Sequence, residues 1–285
     1  MSLIINNNTV ANSTARHLND AYSALGSSTE KMSSGLRINS AADDAAGLAV
    51  RELMRSDIST LQQGVRNAND GISMIQTADG ALGVVDEKLI RMKELAEQAA
   101  TGTYTEEQRG LIDSEYQAMA SEITRIASAT DFNGIYLLNG NCSGDNAVTI
   151  HFGTGNDSAE DKYDVEIGTC TASALGIGNQ SVEGAGFAVS TQEAAQQSLA
   201  ALDAAITSKD KVRANLGALE NRLDATISNL EIQGENLQAA ESQISDVDVA
   251  TEMTNYSKQQ IITQSAVSML AQANSLPQMA LSLIG

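Results

Sequence analysis

The chain has no tryptophan, one proline, two cysteines, two histidines, three phenylalanines and six tyrosines among its 285 residues. Each scarcity excludes something. So few aromatic side chains exclude a core built on aromatic clusters, and alanine, leucine and isoleucine must fill the space instead. A single proline leaves long helices uninterrupted, because proline inside a helix costs about 3 kcal/mol. The cysteines and histidines form no CxxC, HExxH or mixed cluster, so no zinc site is expected. No Ser/His/Asp grouping stands out either. Neither catalysis nor a cofactor is expected. Positive charge is short as well, with 17 Lys and Arg against 36 Asp and Glu and a net charge of −19. Nucleic acid is thereby excluded as a partner, since phosphate binding needs clustered Lys and Arg. No apolar run approaches the ~20 residues that span a bilayer. The opening MSLIINNNTVANSTAR lacks the basic region and apolar run of a signal peptide. By these criteria alone the chain reads as cytosolic.

What is present is heptad spacing, with apolar residues at alternating steps of three and four. Ala11, Ala15, Leu18, Tyr22, Leu25, Met32 and Leu36 follow it, and Gly35 stands where that helix should stop. Met54, Ile58, Leu61, Val65, Ala68, Ile72, Ile75 and Leu82 keep a second frame. It shifts near Leu82 to Val85, Leu89, Met92, Ala96 and Ala99, a stutter. A helix over 44–100 would be about 85 Å long at ~1.5 Å per residue, which predicts a rod. Thr105 to Gln108 is a capping box that opens a third helix over 105–129, and DFNG at 131–134 ends it. AVTIHFG (147–153) and KYDVEIG (162–168) flank a turn-rich stretch and predict a β-hairpin. A second capping box at Ser190 to Glu193 starts a long return helix, and a last helix covers about 247–275, with Pro277 at its fraying end. The fold class is therefore mainly α. Long heptad-patterned helices form an elongated rod, with a terminal coiled-coil pair and a helical bundle carrying a small β-hairpin.

Residues 1–15 and 259–285 contain no charged side chain, although chain ends are usually charged and solvated. In the last helix Val249, Met253, Tyr256, Val267 and Leu270 form one stripe, and Ile262, Ala266, Met269, Ala273 and Leu276 a second. A helix apolar on two sides packs against more than one neighbour. Its many amides argue against membrane insertion. One chain has too few helices to cover these faces, so the missing partners are other copies of itself. A head-to-tail contact that does not close yields an open filament. Leu18, Leu25, Met32, Met253, Ile262, Met269, Leu270 and Leu276 are the expected assembly residues.

SSGLRINSAADDAAGLA, NANDGISMIQTADGAL, TDFNGIYLLNG, ESQISDVDVATEM and MLAQANSLPQMALSLIG carry a close resemblance to bacterial flagellin, the filament subunit of the flagellum. It covers roughly 1–140 and 190–285. The resemblance implies an inner-tube helix over 1–40, outer-tube helices over 41–140, a hairpin and irregular connection over 141–189, an outer-tube return helix over 190–244 and a C-terminal inner-tube helix over 245–285. The gap after the hairpin is too short for the inserted domains of larger flagellins. A hook–filament junction protein, with similar ends, is the alternative. The resemblance overrules the cytosolic reading. It implies unfolded export through the flagellar type III channel, an export chaperone, hook-associated and cap proteins as partners, and an extracellular filament used for motility. It also implies contact with a vertebrate Toll-like receptor through Arg91, Leu95 and Gln98, with Glu115 on the neighbouring helix. Spacings of four and three place the first three on one face. The bland reading is a solvated edge that packs between subunits.

Between the inner and outer helices Gly35, Arg37, Ser40, Asp43 and Asp44 form the expected inter-domain joint. Ser40 caps a helix starting at Ala41, and the two aspartates meet the positive end of its dipole. Arg37 bridges one of these acids or a neighbouring subunit. Asp246 and Asp248 suit the start of the last helix, and His17 a surface or interface position. Cys142 and Cys170 bracket the hairpin; in an exported filament both a disulfide and two free thiols remain open.

Overall fold

The computed structural model describes residues 7–155, 157, 160–178 and 187–284. It is mainly α, with helices α1 (Thr9–Ser34), α2 (Ala45–Ala100), α3 (Glu106–Ala129), α4 (Gln192–Ser245) and α5 (Val249–Ile284). Two antiparallel strand pairs complete it. β1 (Asp131–Phe132) pairs with β2 (Ile135–Tyr136), and β3 (Val148–His151) with β4 (Lys162–Val165). The β3–β4 pair is the hairpin expected from the alternating runs. The β1–β2 pair was not expected, and it arises at the DFNG turn. Asn133 and Gly134 take positive φ there, and the Asp131 carboxylate accepts a hydrogen bond from the Gly134 N–H at 3.0 Å. The helix α5 runs past Pro277 rather than ending near 275. A proline withdraws one N–H from the ladder, and a helix can bend at that gap without stopping.

The chain divides into two compact units, Met1–Ile58 with Glu235–Gly285, and Ser59–Gly234. The boundaries expected at 40/41 and 244/245 both fall inside the first unit. In the second unit, Val85, Leu89, Met92, Ala96 and Ala99 of α2 are buried against Tyr116, Ala120 and Ile123 of α3 and Ala195, Leu202 and Ala205 of α4. These α2 residues are the shifted frame read after the stutter. The capping box of α3 is formed on both sides: Thr105 Oγ1 accepts from the Gln108 N–H at 3.3 Å, and Gln108 Oε1 from the Thr105 N–H at 3.0 Å.

Two glycines inside α2 have a packing reason. A Cβ at Gly64 would lie 2.1 Å from the Phe152 carbonyl oxygen, and one at Gly71 2.2 Å from Ile150 Cδ1. The hairpin thus seats directly on the helix backbone. At Gly80 an added Cβ would meet open space. Gly64→Ala will therefore destabilise the second unit by about 1–3 kcal/mol, the cost of overpacking. Gly80→Ala will stabilise it by about 0.5–1 kcal/mol, the helix-propensity gain. Thermal unfolding of the two variants checks the contrast, and equal effects would mean the hairpin does not sit on Gly64.

Candidate assembly surface

Helices α1 and α5 pair in the first unit, antiparallel. The Asn8 side-chain amide donates to the Ala273 carbonyl at 2.8 Å, and the Ser28 hydroxyl donates to the Glu252 carboxylate. Further on, Leu36 forms an antiparallel bridge with Asp246. Residue numbers rise along one helix as they fall along the other.

The contact is a heptad seam, though a different one from the expected stripe. On α1 the buried or half-buried positions along the seam are Ala11, Thr14, Leu18, Ala21, Leu25, Ser28 and Met32. On α5 they are Glu252, Tyr256, Gln259, Thr263, Ala266, Leu270 and Ala273. Both sets step strictly by three and four. Nine of the fourteen members are small or polar. Tyr22, expected in the stripe, is 53% exposed because Ala21 takes the inward position.

The bulky apolar residues of α5 lie beside this seam. Val249, Met253 and Val267 are exposed on one flank, and Ile262 and Met269 on the other. The two apolar stripes read from the sequence are these flanks. The seam runs between them and borrows Tyr256 and Leu270 from one, Ala266 and Ala273 from the other. Of the expected assembly residues, Leu18, Leu25, Met32 and Leu270 pair within the chain, while Met253, Ile262 and Met269 face outward. The side chain of Leu276 lies outside the described residues.

The joint is built from backbone pairing and capping. Gly35 has φ 74° and its N–H donates to Lys31 O, closing α1. Arg37 N–H donates to Ser245 O at 2.7 Å, and Val247 N–H to Gly35 O at 3.0 Å, so the two crossing segments form a short antiparallel ladder. Among the described residues the Arg37 guanidinium bridges no acid. It donates to Ile244 O at 2.6 and 3.2 Å, capping the C-terminal end of α4. Sequence reasoning missed Arg51. Its buried guanidinium donates to Ile38 O at 2.7 Å and pins the 35–44 segment, whose Ile38 side chain is buried.

Ser40 does not cap a helix at Ala41. The helix α2 starts at Ala45, and its cap is Asp44, whose carboxylate accepts from the Gly47 N–H at 2.9 Å. The Ser40 hydroxyl and N–H instead donate to Asp43, which also accepts from the Asn39 N–H. The N–H groups of Ser40 and Asn39, then the Ser40 hydroxyl, hold the Asp43 carboxyl below its usual range. Asp248 does the same at the start of α5. It accepts from the Thr251 hydroxyl and the Thr251 and Ala250 N–H groups, which lower its pKa. Both aspartates of the opening motif are thus engaged in turns and caps.

On the second unit, Arg91 is exposed and donates to Glu115 at 2.9 and 3.1 Å and to Glu94 at 3.0 Å. Gln98 is exposed and donates to the Tyr104 hydroxyl at 2.9 Å. Leu95 is 1% exposed and belongs to the core. The expected four-residue receptor face is therefore three polar residues over a buried leucine. Leu95 sits three residues from Met92 on the core-facing frame, and core packing claims it.

Of the two states left open for Cys142 and Cys170, the structure has the free thiols, and both are buried. The Cys142 thiol donates to Tyr136 O at 3.2 Å, and the Cys170 thiol to Gly168 O at 3.6 Å. Burial raises both thiol pKa values, that of Cys170 to about 11. Among the described residues no helix is long and apolar enough to cross a membrane.

Family models for the bacterial flagellin N-terminal and C-terminal helical regions match residues 5–143 and 199–284. The chain is 44% identical to flagellin FlaB2 of Treponema pallidum over 99% of its own length and all of that protein. It is 40% identical to flagellin of Halalkalibacterium halodurans, again over 99% of this chain and all of the other. A structure described as a flagellar hook-associated protein of Vibrio parahaemolyticus is 16% identical. It covers 72% of this chain and 100% of its own at a TM-score of 0.57, a likeness of fold alone. Two terminal helical regions matched by family models, in a short form without a large insert, and relatives that align from end to end place this chain in the bacterial flagellin family, whose members are the subunits of flagellar filaments.

Proposed function

We propose that the chain leaves the cytoplasm unfolded through the flagellar export channel and polymerises outside it into an extracellular filament, with α1 and α5 as the inner tube. One observation carries the assembly reading. The chain pairs its own terminal helices largely through small and polar residues and leaves Val249, Met253, Val267, Ile262 and Met269 exposed. Exposed apolar flanks on both sides of one helix call for two further neighbours, which other copies supply. Ordering the terminal helices costs about 1–2 kcal/mol per residue in backbone entropy. A seam with only Leu18, Leu25, Met32, Tyr256 and Leu270 as large side chains offsets part of that, since burial returns about 25 cal/mol per Å² of apolar area. The termini then complete their folding as the flanks are buried.

An export chaperone would hold the C-terminal helix beforehand, and hook-associated and cap proteins would border the filament. Arg91, Gln98 and Glu115 would meet a Toll-like receptor on the monomer. A hook–filament junction protein is the second reading. Against it stand relatives matched over their whole length and named as flagellins. Seeding the purified protein with filament fragments, alongside antibody labelling of intact cells, tests assembly and location together. Elongation of the seeds and labelled filaments on intact cells are the expected results. A stable monomer with protease-resistant termini that does not elongate would overturn the assembly reading.

A further inference from the structure

Three contacts in the second unit fix the register of the segments that carry the two cysteines. Cys170 N–H donates to Leu138 O at 3.0 Å, and Ile167 N–H donates to Cys142 O at 2.9 Å. Between them, a Cβ on Gly140 would come within 2.7 Å of Thr169 Oγ1. The segments therefore pair antiparallel, 138 with 170, 140 with 169 and 142 with 167. The cysteines stand at opposite ends of this pairing, with the Gly140–Thr169 contact between them. Their thiols turn to different carbonyls, those of Tyr136 and Gly168. A disulfide needs Cα atoms about 4.4–6.8 Å apart and Cβ vectors that converge. Bridging would require sliding one segment along the other. That slide is blocked from outside, because a Cβ at Gly168 would already lie 2.9 Å from Val212 Cγ2 on α4.

In the unfolded chain nothing holds the two cysteines apart. They are separated by 27 intervening residues, a loop that closes readily. We infer that the cysteine pair is a redox gate on folding. A Cys142–Cys170 disulfide made before folding is incompatible with the register of the second unit, so only the dithiol chain folds, and folding then removes both thiols from reach. The gating reaction is thiol–disulfide exchange with a small disulfide such as oxidised glutathione. One thiolate attacks the glutathione disulfide and releases one reduced glutathione. The second thiol then attacks the mixed disulfide and releases another. One S–S bond breaks, one forms, and the two thiol protons leave on two glutathione molecules. In the folded chain burial opposes the first step, because it disfavours the attacking thiolate.

The test uses the full chain. It is oxidised with glutathione disulfide in denaturant at low concentration, and mass spectrometry confirms the loss of two hydrogens. The denaturant is then removed. The oxidised chain should fail to regain native helicity and its cooperative unfolding transition, and dithiothreitol should restore both. Folded protein exposed to the same oxidant should keep both thiols titratable after unfolding. Recovery of native helicity by the bridged chain would overturn the inference, and so would loss of the thiols from folded protein. A double variant, Cys142→Ala with Cys170→Ala, has no thiol to bridge or to carry glutathione and should refold equally in either redox state. Should that variant not fold at all, the reversal by dithiothreitol in the unsubstituted chain decides. Helicity and unfolding are read on the unassembled chain, so these outcomes are independent of whether the chain elongates filaments.

Discussion

Replacing Asp86 and Asp210 together by alanine will destabilise the second unit by about 3–5 kcal/mol, the cost of leaving a buried charge without its partners. Lys209 is 1% exposed, and its ammonium donates to Asp86 at 2.6 Å and to Asp210 at 2.7 Å. The two carboxylates keep partial contact with water. The strain therefore falls on the lysine. Asp79 is the remaining acid nearby, and it is committed to Arg213 through bonds of 2.7 and 2.9 Å. Lys209→Met removes the buried charge itself and fills similar volume, so it should cost less than the double substitution. Equal losses in the two proteins, measured by denaturant unfolding at pH 7, would show that charge pairing is not what holds Lys209 in place.

The pH dependence adds an independent sign. Burial alone would lower the Lys209 pKa, but hydrogen bonds and charge from Asp210 and Asp86 together outweigh it and hold the value above the ordinary one. A group with a raised folded pKa stabilises fully below its unfolded value, here about 10.4, and that stabilisation is lost as pH rises through the folded value. In the double alanine variant burial outweighs what is left, the charge of an Asp79 already committed to Arg213, and the folded pKa drops below the unfolded one. The unfolded chain then binds more protons, so stability rises with pH. Between pH 8 and 10 the deficit of the variant should shrink. A deficit constant over that range would mean the lysine has turned out to solvent.

The heptad frames made the helices legible to within a few residues, apart from the end of α5, because that period survives any tertiary context. The ends of α3 were equally legible, since a capping box and a DFNG turn are local chemistry. The α1–α5 seam was not. Two apolar stripes on one helix compete for a single partner. The winning contact takes Thr14, Ala21, Ser28, Thr263 and Ala273 because small side chains let the helices approach and their hydroxyls find partners. Hydrophobicity alone points the other way, to Tyr22. The roles of Gly64 and Gly71 were hidden for a different reason. They depend on a hairpin some 80 residues later in the chain, and in isolation they register only as helix-weakening positions. Arg51 and Leu95 show the same limit: one looks like a surface charge and is buried, and the other looks like part of a recognition face and is core.

Met269→Glu will leave the folded monomer unchanged and stop elongation. In the isolated chain Met269 is 60% exposed on α5, beside the seam and not in it. A glutamate there stays in water and should move stability by no more than about 0.5 kcal/mol. In the proposed filament the same flank is buried against another copy. The carboxylate must then lose its water on a surface where residues 259–285 supply no Lys or Arg. Burying it unpaired costs several kcal/mol, and each ~1.4 kcal/mol is a factor of ten in affinity. Subunit addition should weaken by about a hundredfold or more. Ala266→Glu makes the informative contrast. It places the same charge at the edge of the seam, so it should loosen the α1–α5 pair in the monomer as well as block elongation. Protease sensitivity of the termini separates the two variants, and electron microscopy of seeded growth reads both. Met269→Glu filaments growing at the unsubstituted rate would mean that the outer flanks stay in water after assembly. The self-association reading of α5 would then have to move to the seam side.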